Sequence, residues 1–225
     1  MFIVTGASKG LGKAICSRLI KNNMQVLGLA RDTSDLPFES INCDVSSADE
    51  IRSVTKFIRK QKYNVTGIIN AAGIASMNLA LTTPSTMVEK IVQTNLLGTI
   101  YCCQYFAPFL IRNNKGTIIN FSTIAVSLGL KGESIYIASK AGVEGFSRAF
   151  AREMSDFNIS VNCIAPGPIK TDLIKGVSKK QIEKIISNQI FQKQFTPDNV
   201  CDLVEILISN RAKTLSGQVF HIGGV

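Results

Sequence analysis

Apolar residues along this chain fall into two alternating rhythms. Continuous runs rich in Val and Ile recur at residues 2–6 (FIVTG), 25–30 (QVLGLA), 67–73 (GIINAAG), 116–122 (GTIINFS), 159–166 (ISVNCIAP) and 217–224 (GQVFHIGG). Runs without polar alternation predict strands covered on both faces, the habit of parallel sheets. Between them the apolar positions take the spacing of one helix face: Leu11, Ile15 and Leu19; Ile51, Val54 and Ile58; Met87, Ile91 and Thr94; Val143, Phe146 and Phe150; Val200, Val204 and Leu207. Strand and helix therefore alternate throughout. The pattern predicts an α/β fold, a doubly wound parallel sheet with helices on both faces and right-handed crossovers, whose ligands bind beyond the carboxyl ends of the strands.

Length and composition narrow this picture. At 225 residues and 45% hydrophobic composition, the chain is expected to form one domain, residues 1–225, around one large core. The one long irregular stretch, about 168–197, holds the charged helical segment SKKQIEKIISNQI and reads as a lid over the site. No apolar run approaches the roughly 18 residues that would suggest a membrane span, and a strand starting at Phe2 leaves no room for a leader. A cytoplasmic protein without a membrane partner is expected. Cys16, Cys43, Cys102, Cys103, Cys163 and Cys201 lack CxxC spacing and sit in apolar runs, so they read as reduced core residues rather than metal ligands. His221 is the only histidine, which argues against Ser-His-Asp hydrolysis and multi-His metal sites. The net charge of +9 comes from lysines spread along the chain without interleaved aromatics, which reads as a solvated basic surface; no nucleic-acid partner is expected.

Candidate chemistry begins at TGASKGLG, residues 5–12, directly after the first strand and at the start of an amphipathic helix. Gly6 permits a tight turn, Gly10 lets the backbone approach a pyrophosphate, and Gly12 allows close helix-to-strand packing; the helix N-terminus favours the anion. With Leu11 in the same loop, this is a dinucleotide cradle and makes the sheet Rossmann-type. The next strand ends LARD, with Ala30 where dinucleotide folds usually place an acid for the ribose 2′-hydroxyl. Arg31, Lys9 and Ser8 can instead hold a 2′-phosphate by charge-assisted hydrogen bonds, so NADPH is expected over NADH. Asp32 next door could offset part of that charge.

A second site lies in FSTIAVSLGLKGESIYIASK, residues 121–140. Tyr136 and Lys140 are one helical turn apart and share a face. A phenol near pKa 10 is a slow proton donor-acceptor at neutral pH, and a nearby ammonium is expected to lower it toward the working range.

The order TGxxxGxG, CDVS (Asp44, Val45), NAAG (70–73), Asn95 within QTNLLG, the 122–140 segment and APGPIKTD (165–172) resembles the short-chain dehydrogenase/reductase family over the whole chain. Within it the general likeness is to 3-oxoacyl-acyl-carrier-protein reductases, carried by KGLG, PGPIKTD and the terminal GGV; the segment Ser155–Phe157 (SDF) stands where such reductases tend to carry a basic docking residue. The resemblance implies that Asp44 and Val45 border the adenine. It puts Asn70, with Ala71 and Gly73, on the ribose and nicotinamide side, and Ile169 and Thr171, with Pro166 and Gly167, at the nicotinamide. Lys140 would bind the nicotinamide ribose and Asn95 would hold a water that reloads Tyr136 with protons. Ala71 replaces an asparagine usual in the family, removing an amide that helps brace the central strand. The family's orienting hydroxyl lies thirteen residues before the tyrosine, which is Thr123. Ser122 is its neighbour on a strand and should face the other way, unless a bulge turns it in.

These readings imply an NADPH-dependent reductase of a ketone, in which Tyr136 donates the proton and Thr123 orients the oxygen; a 3-oxoacyl thioester is one candidate substrate. The rival is an NADP-binding sensor or scaffold with little turnover. Val126, Leu128, Leu173 and Ile174 are expected to line the substrate pocket. By the resemblance, helices near 85–112 and 136–156, carrying Leu97, Ile100, Phe106, Phe146 and Phe150, would pack against symmetry mates in a homotetramer, with a dimer second.

Overall fold

The apolar runs pair side by side in a sheet whose strands are all parallel. The computed structural model describes residues 1–170 and 179–225, apart from the side chain at 181. Its strands are β1 (Phe2–Thr5), β2 (Val26–Ala30), β3 (Ser40–Asn42), β4 (Gly67–Asn70), β5 (Gly116–Phe121), β6 (Ile159–Pro166) and β7 (Val219–Ile222), in the order β3-β2-β1-β4-β5-β6-β7. The helices are α1 (Gly10–Lys21), α2 (Ala48–Gln61), α3 (Ser85–Val92), α4 (Gly98–Arg112), α5 (Ala125–Leu128), α6 (Ser134–Ser155), α7 (Lys179–Ser187) and α8 (Pro197–Ile208). The doubly wound expectation holds. Two elements escaped the hydrophobic pattern, β3 and α5, because three residues with one apolar side chain (Ser40, Ile41, Asn42) and a single helical turn carry no periodicity to read.

Neighbouring strand residues feed opposite faces, and both faces are buried. Ile3, Ile68 and Ile118 join a core with Ile51, Val54 and Ile58 of α2, Phe106 and Leu110 of α4, and Phe150 and Met154 of α6. Val4, Ile69 and Ile119 join a second core with Ile15 and Leu19 of α1 and Val200, Val204 and Leu207 of α8. Each such side chain contributes about 1.5–3 kcal/mol when taken wholly from water. Arg18 also fastens α1 to α8, reaching Asp198 and Asp202 at 2.8 Å each.

The apolar residues set aside for symmetry mates divide. Phe106 is fully buried and Phe150 nearly so against their own sheet, whereas Leu97, Ile100 and Phe146 are half-buried. Among the described residues no helix is long and apolar enough to cross a membrane. What the topology provides is a crevice. β1 lies between β2 and β4, so the strand order reverses there and leaves an opening at their carboxyl ends.

Candidate active site

At the end of β1 the chain turns through Gly6 (φ +69°) and Gly10 (φ +56°) into α1. A Cβ at Gly6 would lie 2.9 Å from the Ala72 backbone, and one at Gly12 would run into the Gly6 carbonyl. These glycines let the loop, the NAAG segment and the helix meet. The N-cap residue Lys9 makes no side-chain capping bond and the first turn contains no acid, so the leading N–H groups of α1 are available to an anion. They open onto a cleft of about 350 Å³ lined by Gly6, Ser8, Lys9, Gly10, Leu11, Ala30, Arg31, Asp44, Val45, Ala71 and Gly73, among others. Glycine turns, free N–H groups and an elongated cleft fit a dinucleotide.

Charge in this cleft is arranged by local hydrogen bonds. Asp44 accepts from the Ser46 N–H at 2.9 Å and its hydroxyl at 2.7 Å. Burial alone would raise the Asp44 carboxyl, but those bonds, with the charges of Arg31 and Lys90, hold it below its usual range. Arg31 and Lys9 are exposed at the rim. The Asp32 carboxylate is turned to Ser34, accepting from its N–H at 3.1 Å and its hydroxyl at 2.8 Å, and does not line the cleft.

Leu11, Ala71, Gly73 and Ala75 also line a second cavity, of about 140 Å³, so the two spaces adjoin. Phe121, Thr123, Ile124, Tyr136, Lys140, Pro166, Gly167 and Ile169 form its functional wall. Tyr136 and Lys140 rise from the first turns of α6, both almost fully buried. Thr123, just past the end of β5, sets its hydroxyl beside the Tyr136 phenol, and its Oγ1 accepts from the Ala125 N–H at 3.2 Å. Ser122 borders the same cavity, but its hydroxyl is turned to buried Glu144, to which it donates at 2.6 Å. Strand alternation thus brings Thr123, not Ser122, to the tyrosine.

Electrostatics depart from one expectation. Burial pushes the Tyr136 phenol up rather than down; Glu133 adds to the rise and the Thr123 hydroxyl opposes it. Lys140 donates to the Phe121 carbonyl at 2.8 Å, and burial pushes its ammonium down to about 8. Desolvation therefore sets the direction, and Lys140 is not among the groups that move the phenol. The result keeps a proton on Tyr136 at neutral pH.

Asn70 takes a different place from the one expected, and Asn95 is held by the backbone around it. Asn70 points into the core, donating to the Asn120 side chain at 2.8 Å and to the Cys103 sulfur at 3.3 Å; Asn120 in turn donates to Ser147 of α6 at 2.8 Å. It braces β4, β5 and α6 and lines neither cavity. Asn95, fully buried in a π-helical turn (Gln93–Leu97), accepts from the Ile74 N–H at 2.8 Å and donates to the Ile74 carbonyl at 2.9 Å and to Ser139 at 3.1 Å. Its carbonyl accepts from Thr99 at 2.8 Å. With these bonds the side chain fixes the 73–74 segment beside Lys140. π-Turns recur at such functional positions. Gly12 likewise serves packing under the loop and does not line the cleft.

Thr171, Leu173 and Ile174 lie outside the described residues. Val126 and Leu128 do not line the reaction cavity; Ala125 and Leu130 do, with Ala75, Met77, Ile182 and Ile185. The last two come from α7, within the stretch read as a lid. Glu133 was missed. Its place three residues before Tyr136, one helical turn away, was the available signal. His221 is exposed on β7 beside Ser127 at 3.1 Å, and all six cysteines are buried and unpaired.

Residues 1–182 match the short chain dehydrogenase family. The chain belongs to that family. Among curated short-chain dehydrogenase relatives, the 3-oxoacyl-[acyl-carrier-protein] reductase FabG of Staphylococcus epidermidis is 31% identical over 236 residues, covering 99% of this chain and 96% of that protein. The FabG of Buchnera aphidicola subsp. Acyrthosiphon pisum is 31% identical over 232 residues, covering 98% and 94%. Among solved structures, the ligand-free aldohexose dehydrogenase of Thermoplasma acidophilum superposes with TM-score 0.90 at 28% identity, covering 99% of this chain and 92% of that one. A 4-hydroxyisoleucine dehydrogenase in complex with NADH superposes with TM-score 0.91 at 26% identity, covering 99% and 97%. The chain is thus a short-chain dehydrogenase/reductase, an oxidoreductase that uses a nicotinamide cofactor.

Proposed function

We propose that the protein reduces a ketone to a secondary alcohol with NADPH. The observation that carries this reading is the meeting of Tyr136, Thr123 and Lys140 in one small cavity that adjoins the glycine-loop cleft. In it, the N-terminus of α1 takes the pyrophosphate, Arg31 and Lys9 the 2′-phosphate, and Asp44 and Val45 border the adenine. Ala71, Gly73, Pro166, Gly167 and Ile169 enclose the nicotinamide half. When bound, NADPH supplies a hydride to the carbonyl carbon. The carbonyl oxygen accepts hydrogen bonds from Thr123 and Tyr136. As electron density builds on that oxygen, the Tyr136 hydroxyl transfers its proton to it, completing the alcohol. A phenol raised by burial is proton-loaded for this step. Lys140, held by the Phe121 carbonyl, supports the ribose and offsets negative charge left on the phenolate.

The FabG relatives supply the first substrate to test, a 3-oxoacyl thioester. The experiment is NADPH oxidation by purified protein with 3-oxoacyl thioesters and a panel of simple ketones. Turnover of any of them supports the reading. Tight NADPH binding without turnover of any would favour a sensor or scaffold.

The assembly belongs to the same proposal. Half-buried Leu97, Ile100 and Phe146 on the adjoining helices support a homotetramer, with a dimer as the lesser alternative; light scattering showing a monomer at micromolar concentration would contradict both. Six buried, unpaired thiols support a cytoplasmic setting.

A further inference from the structure

The reaction cavity is apolar beyond its catalytic edge except at one place. Ala75, Met77, Leu130, Ile182 and Ile185 make its outer walls, and Glu133 stands among them with 8% of its surface exposed. Buried carboxyls normally gather hydrogen bonds, because one without partners gives up its hydration for nothing. Glu133 has none. It occupies the N-cap position of α6, where an acid commonly accepts from the first N–H groups of the helix, yet it makes no capping bond. Among the described residues no hydroxyl, amide, lysine or arginine is paired with it. Burial raises its carboxyl, and its charge is felt by Tyr136. The fold gives this acid no structural partner and sets it one helical turn from the proton donor.

We propose that Glu133 is a specificity-determining residue that accepts a hydrogen bond from a hydroxyl or ammonium group carried close to the substrate carbonyl, so that the preferred substrate is a hydroxy- or amino-ketone. The inference deepens the ketone-reductase reading and rests on it. Residues three apart on a helix lie side by side, with Cβ atoms about 5–6 Å apart. A carbonyl held at Tyr136 therefore brings its adjacent carbons past Glu133. An analogue lacking the donor leaves the buried carboxyl unpaired, which is the most effective basis for discrimination between near-isosteres. A carboxylate at the same position would meet like charge.

The test uses three ketones of one shape: hydroxyacetone, aminoacetone and 2-butanone, in which hydroxyl, ammonium and methyl occupy one position. With NADPH, wild type should show kcat/KM for a donor-bearing ketone about tenfold or more above that for 2-butanone. Glu133→Leu should bring the ratio close to one or invert it, with 2-butanone turnover retained. Glu133→Gln, whose amide oxygen still accepts, should keep a hydroxyl preference and lose an ammonium preference, separating the two donors. A ratio unchanged in Glu133→Leu overturns the proposal. Because Glu133 has no internal partner, Glu133→Leu should not lower Tm; a clear drop would show that the carboxyl serves the fold and would also overturn it. If none of the three is reduced, the reductase reading has failed separately, and calorimetric binding of the same trio decides about Glu133. A donor advantage lost in Glu133→Leu supports the assignment, and equal affinities in both proteins refute it.

Discussion

Ser122 and Thr123 are adjacent hydroxyls whose removal should damage the protein in different ways. Thr123→Ala deletes the hydroxyl that meets Tyr136 and accepts from the Ala125 N–H. If that hydroxyl holds the reacting oxygen, kcat should fall about 10²–10³-fold, or about 2.7–4 kcal/mol, the scale for one such donor. NADPH affinity should hold, and Thr123→Ser should recover much of the rate. Ser122→Ala instead removes the 2.6 Å bond to Glu144. That carboxylate, 9% exposed, would keep only Arg148 at 3.2 Å, whose own side chain is 58% exposed. A buried acceptor left short of a partner costs about 1–3 kcal/mol, which for a chain of this size lowers Tm by about 2–12 °C. Activity below the melting range should change much less. Steady-state NADPH oxidation and thermal unfolding of the three variants decide the matter. A severe kcat loss in Ser122→Ala with unchanged Tm, alongside mild effects in Thr123→Ala, would refute the assignment.

Arg31→Ala should erode a wild-type preference for NADPH over NADH in kcat/KM, since Asp32 is turned to Ser34 and leaves Arg31 and Lys9 to hold the phosphate; a wild-type preference for NADH would sink this reading. Lys140 gives a pH signature. Burial lowers its ammonium from 10.5 to about 8, so between those values the unfolded lysine holds a proton that the folded one has lost, and Lys140's own contribution to folding stability gains as pH rises through that window. The gain should vanish in Lys140→Met when denaturant titrations of both proteins are compared across it, and an identical pH dependence would contradict the burial argument. Gly12→Ala should abolish NADPH binding or folding, because the new methyl collides with the Gly6 carbonyl; a stable variant with wild-type affinity would show that the loop can give way.

Much of the site was legible because its parts are tied to local rules. The glycine loop follows from its position between a strand and a helix, the Tyr136–Lys140 pairing from one helical turn, and the choice of Thr123 from strand alternation. Asn70 was misplaced because a motif was read without its register. Parallel pairing sets Thr5, Asn70 and Asn120 level across β1, β4 and β5, which turns the two amides toward each other inside the sheet. The tyrosine's raised phenol was equally hidden, since spacing puts Lys140 one helical turn away but does not show how deeply the phenol is buried. Val126 and Leu128 failed as pocket residues because α5, a single turn, rotates Ala125 rather than its neighbours toward the cavity.

Tyr136→Phe addresses the proposed chemistry most directly, since it removes one oxygen and keeps the ring that fills the wall of the cavity. NADPH oxidation with the best ketone substrate should fall about 10²–10⁴-fold, the range attributed to a positioned proton donor, while NADPH binding measured by fluorescence titration stays within a factor of about two of wild type. Retention of a tenth or more of the wild-type rate by Tyr136→Phe would show that the proton comes from elsewhere and would contradict the mechanism.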